Sequence, residues 1–130
     1  MTFDGQVYSG IDAVRKLENE IYTLRNQHTA DLDIAKFIKD SDSEEKLYNT
    51  QRVFYVITKV INQKLSNENG FNLEERKAQI ETMINFTEFS LLRVVLISMQ
   101  FLNYKSSKLL RENQEFISVI EDLKLPIDSY

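Results

Sequence analysis

The sequence predicts an all-α fold: a four-helix bundle, mostly antiparallel, with a short extended N-terminal arm, in one domain over residues 1–130. Three observations point there. Apolar residues recur at three- and four-residue spacings, as one face of a helix requires. Gly and Pro number only 3 and 1, which argues against a turn-rich β architecture. Two polar segments, 40–46 and 66–72, combine loop composition with helix-start signatures, and such short connections favour antiparallel neighbours.

The elements follow in order. Asp4-Gly5 is a turn signal, and Phe3, Val7 and Tyr8 around it suit an extended arm. Ser9 is placed to cap a helix, because its hydroxyl can accept an orphan backbone N–H. Val14, Leu17, Ile21 and Leu24 then form a heptad-like seam that His28 and Asp31 interrupt before Ala35 and Ile38 resume it. This reads as one long first helix reaching about Lys39, bent near Thr29. Ser41 and Glu44 have capping-box spacing for a second helix with Leu47, Thr50, Phe54, Ile57 and Ile61 on its inner face, and Val53, Val56 and Val60 beside them. Asn69-Gly70 marks the next turn, and Asn72 with Glu75 repeats the capping pattern. The third helix carries Ile80, Met83 and Ile84, with a break at Asn85-Phe86-Thr87. Glu88–Tyr104 is apolar almost all round, so it must be covered on several sides, most simply by a second copy of the chain. A last helix opens near Ser106-Ser107 and stops at Pro126.

Composition excludes several functions. The chain has no Cys, so it holds no disulfide, thiolate metal site or cysteine nucleophile. Its single histidine, His28, has Arg25 rather than Glu three residues before it, which fails the di-iron bundle pattern. Arg25 and His28 stand closer together than the Arg–His pair of helical nucleases. Glu112, Glu115, Glu121 and Asp122 form one acidic group without the second that a helical magnesium site needs. No nucleophile elbow is present. The net charge of -4 and the scattered basic residues give no support for nucleic-acid binding. The apolar run is shorter than the ~20 residues of a membrane span and contains Arg93. Met1–Gly10 lacks the pattern of a secretory signal, so a cytoplasmic location is expected.

Arg93 is the most informative residue. It sits between Leu92 and Val94, and a buried guanidinium must be paired or reach water. One reading pairs it with a carboxylate of a neighbouring helix. The sharper reading adds Phe86, Phe89, Gln100 and Tyr104, which fall on the same side of a helical wheel and would form a site for a partner's carboxylate or an anionic small molecule. No catalytic residue, metal or cofactor is assigned. The expected function is therefore non-catalytic protein–protein binding, as an adaptor, inhibitor or immunity-type protein, with homo-oligomerisation, a dimer in the simplest case. Sequestration of an anionic ligand at Arg93 is the alternative.

Overall fold

The computed structural model describes residues 1–130, and the chain opens with a hairpin. Strand β1 (Thr2–Phe3) pairs antiparallel with β2 (Gln6–Val7), with Thr2 opposite Val7 and Phe3 opposite Gln6. Asp4 and Gly5 both take positive φ, 50° and 77°, the type I′ turn that an Asp-Gly pair favours. Seven helices follow: α1 (Gly10–Asn26), α2 (Asp31–Ser41), α3 (Lys46–Lys64), α4 (Leu73–Asn85), α5 (Phe89–Phe101), α6 (Lys105–Glu112) and α7 (Gln114–Asp122). The helical class is as expected, but the helices are shorter and more numerous than four.

Each additional break has a local cause. The single first helix of the sequence reading is two helices, because His28 adopts a left-handed φ of 57°. The His28 N–H donates to the Arg25 carbonyl and the Thr29 N–H to the Leu24 carbonyl, each at 3.0 Å. That pair of bonds is a Schellman ending, usually built on glycine. The last helix is likewise divided, at Asn113, whose side chain accepts the Phe116 N–H at 3.0 Å and caps α7. Helix α7 ends in a second Schellman pattern around Lys124, before Pro126 is reached.

The capping pairs fare differently. Asn72 and Glu75 form the expected reciprocal box, at 2.8 and 3.3 Å. Ser41 and Glu44 do not. Helix α2 continues through Ser41, whose hydroxyl donates to the Phe37 carbonyl, and the buried carboxylate of Asp42 accepts the Leu47 and Tyr48 amides at the start of α3. Ser9 precedes α1 in extended conformation without a side-chain cap bond.

Helix α5 lies between two cores. Val94, Ile97 and Phe101 join Val14, Leu17 and Ile21 of α1 and Ile34 and Ile38 of α2. Leu92, Val95, Leu96 and Met99 face Phe54 of α3, Ile80 and Ile84 of α4, and Phe116 and Ile120 of α7. This explains the all-round apolar sequence of α5: the chain covers it with its own helices. The α1 seam is also consumed within the chain, so neither feature requires a second copy. Helices α4 and α5 meet at a bend of 117°, and no single helix is long and apolar enough to cross a membrane.

Candidate functional site

Arg93 projects from α5 towards α1 and forms a two-point ion pair with Glu18: Nε donates to Oε2 at 3.1 Å, and a terminal nitrogen meets Oε1. Both side chains are about one-fifth exposed, so the pair is screened from most water. The Tyr130 hydroxyl donates to Glu18 Oε2 at 3.0 Å. The Tyr130 backbone is held from both sides by Gln100, whose Nε2 donates to its carbonyl at 2.9 Å and whose Oε1 accepts its N–H at 3.1 Å. Arg25 Nε adds a bond to the same carbonyl at 3.2 Å, while its guanidinium lies 5.2 Å from the Phe101 ring and bonds Asp31 across the α1–α2 break. Burial raises the Tyr130 phenol above its ordinary value, with the positive charge of Arg93 opposing the shift.

The residues proposed from sequence are thus dispersed. Arg93 and Phe89 are together, with the guanidinium 5.5 Å from the ring. Gln100 joins them only through Tyr130 and Glu18. Phe86 is 88% exposed in the α4–α5 turn. Tyr104 belongs to another surface, edge-on to Tyr48 at 4.9 Å with Lys39 5.3 Å from its ring. Glu18 and Tyr130 were not anticipated. Glu18 follows the seam residue Leu17 and looks like any solvated acid, and Tyr130 lies beyond α7, where periodicity carries no information. An anionic ligand at Arg93 would have to displace Glu18, a bidentate carboxylate already in place.

Unpartnered apolar surface lies elsewhere, on α3. The face expected to be inner was Leu47, Thr50, Phe54, Ile57 and Ile61; the buried residues are Leu47, Gln51, Phe54 and Thr58. The helix is rotated by roughly 50° from the expected setting, as judged from a 100° step per residue. The cause is polar. Gln51 is fully buried, donating to Ser106 Oγ at 2.6 Å and the Tyr48 carbonyl at 3.0 Å, and accepting from Ser107 Oγ at 3.2 Å. Thr58 satisfies its hydroxyl on the Tyr55 carbonyl. The rotation leaves Val53, Val56, Ile57 and Val60 exposed at 55%, 45%, 38% and 47%, although unpaired apolar side chains of this kind are better buried. Beside the first turns of α3, a cavity of about 390 Å³ opens between Leu47, Thr50, Leu91 and Val94, with Met1 and Val14 at its floor.

In comparison with known proteins, no family model, curated sequence or solved structure matches this chain.

Proposed function

We propose that this chain is a non-catalytic module that binds another protein through the outer face of α3. The observation that carries this reading is the row Val53, Val56, Ile57 and Val60, four β-branched side chains on adjacent turns left in solvent. Charge narrows the partner. At a 100° step per residue, Lys46 and Lys64 fall on the same side of α3 as the valines, Lys46 paired with Glu44 just before the helix, and α3 itself contains no acid, within a chain of net charge -4. An apolar surface rimmed by Asp and Glu would complement it in both respects. A second copy docked α3-to-α3 would place the same cations opposite one another, which is repulsive in a two-fold contact. The partly exposed Leu91 of α5 lines a cavity together with Asn49 and Thr50 of α3 and adds apolar area near the first turns of that helix.

The test is the double variant Val53→Glu/Val60→Glu. Both positions are exposed, so the variant should fold with an unchanged melting temperature. Affinity purification from the native source should yield a partner with the wild type that the variant no longer retains. That partner should be acidic at its contact surface and should dissociate with added salt. Equal retention by the variant overturns the reading. Light scattering separates the rival occupant: twice the chain mass for the wild type, and a single chain for the variant, would assign α3 to self-association instead.

A further inference from the structure

The opposite flank of α3 carries a different chemistry. Tyr48, Arg52, Tyr55 and Lys59 follow one another at spacings of four, three and four residues, so they form one stripe in which tyrosines and cations alternate. Helix α6 lies against this flank, and Tyr104 and Lys105 at its start complete a groove with the stripe, floored by the buried Ser106. We propose that this groove binds a nucleotide unit, a phosphate joined to an aromatic base, whether free or within a single strand.

The residue types fit that ligand and no simpler one. Seven of the sixteen cations are engaged in ion pairs; Arg52, Lys59 and Lys105 are not. No carboxylate lines the groove. Its three tyrosines are half-buried, and Tyr48 and Tyr104 brace each other edge to face, so their rings are held rather than free to sweep through solvent. Fixed aromatic rings between cations are the arrangement by which proteins stack bases while holding phosphates. A carboxylate-bearing peptide would use the charges and leave the rings idle. The Ser106 hydroxyl accepts a bond from Gln51 and retains a proton that it can donate to an anionic oxygen. The site is short. Glu112 and Glu115 border the adjoining depression beyond Lys59, and Asp42 and Glu45 act on Tyr104 at the other end. The basic stretch therefore suits one or two nucleotide units, not a long strand. Global charge concealed this groove, because the chain is acidic overall while three of its unpaired cations, Arg52, Lys59 and Lys105, line one depression.

The test is fluorescence anisotropy at low salt with a labelled oligothymidylate eight residues long, with ATP, inorganic phosphate and a polyglutamate peptide as competitors. The wild type should bind the oligonucleotide, and ATP should displace it if the free nucleotide is the ligand. Failure of ATP to compete, with binding intact, assigns the site to single strands. Arg52→Glu/Lys59→Glu should abolish binding. Tyr55→Leu, checked for folding by its melting temperature, should weaken binding about tenfold. Lys105→Glu gives an independent charge test on α6, and Val53→Ser/Val60→Ser, which adds no charge beside Arg52 and Lys59, should bind as wild type, which separates this site from the protein-binding face. Competition by polyglutamate or inorganic phosphate equal to that by nucleotides, or a Tyr55→Leu variant of full affinity, would overturn the proposal. So would the absence of oligonucleotide and ATP binding at millimolar concentration.

Discussion

Replacing Arg93 with Leu tests whether the Arg93–Glu18–Tyr130 node holds α5, α1 and the segment after α7 together. The substitution keeps most of the apolar volume but removes both bonds to Glu18. Hydrogen bonds to charged groups are worth about 1.5–3 kcal/mol each, and breaking a buried pair from one side costs about 3–5 kcal/mol because the other charge is stranded. Glu18 is 21% exposed and retains the Tyr130 hydroxyl, so water and one donor remain to it. The expected cost is therefore below that range, about 2–3 kcal/mol, or roughly 6–12 °C in melting temperature for a domain of this size. Glu18→Leu alone should cost a similar amount. The double variant Arg93→Leu/Glu18→Leu should recover most of the loss, because no charge is left unpaired. Urea unfolding of the four proteins gives the coupling energy directly. A single-variant cost under about 0.5 kcal/mol, or a double variant no better than the sum of the singles, would refute the reasoning. Arg93 would then be a snorkelling surface cation.

Three further outcomes follow from named contacts. The phenols of Tyr130 and Tyr104 both titrate above their ordinary value of 10.0, chiefly through burial, so the stability they contribute is complete below pH 10 and is lost as pH rises through their folded values; urea midpoints should fall above pH 10, and less steeply in Tyr130→Phe. His28→Gly should stabilise the chain by about 0.5–1 kcal/mol, since glycine occupies the left-handed Schellman position without the Cβ clash, while His28→Val should destabilise it; the opposite order in thermal melts would contradict the assignment of that break. Gln51→Leu should cost about 2–3 kcal/mol by leaving Ser106 and Ser107 without their buried partner, and Gln51→Leu/Ser107→Ala should recover part of that in the same urea assay.

The helical class and the major turns were legible because they rest on local chemistry. Asp4-Gly5, the Asn72–Glu75 box and the break at Asn85–Thr87 depend on a few neighbouring residues, and the structure places each where spacing put it. The breaks at His28 and Asn113 were less legible. A left-handed histidine carries no mark in composition, and Asn113 lies between two runs that match one helical period. The Arg93 environment was legible in kind but not in membership. A guanidinium between leucines and valines demands a partner, yet the partner, Glu18, is 75 residues away in sequence, and only the packing of α1 on α5 chooses it. Phe86, Phe89, Gln100 and Tyr104 share a side of the wheel, but the helix ends at Phe101, so Tyr104 leaves that side altogether.

Helix α3 shows why the surfaces proposed for binding were the hardest part to read. Its apolar residues outnumber what one buried face can take, so pattern alone permits several rotations. A hydrophobicity count favours burying Ile57 and exposing Gln51. The molecule does the reverse, because Gln51 meets Ser106 and Ser107 of α6 and each of these polar groups is satisfied by the others. Buried polar groups are costly when unmet and specific when met, so this small network can set the rotation of a whole helix. The valines are then displaced to one flank and the alternating tyrosines and cations to the other. Both surfaces proposed for binding thus flank the buried face of Leu47, Gln51, Phe54 and Thr58, and neither lies on Arg93, where the sequence placed its strongest signal.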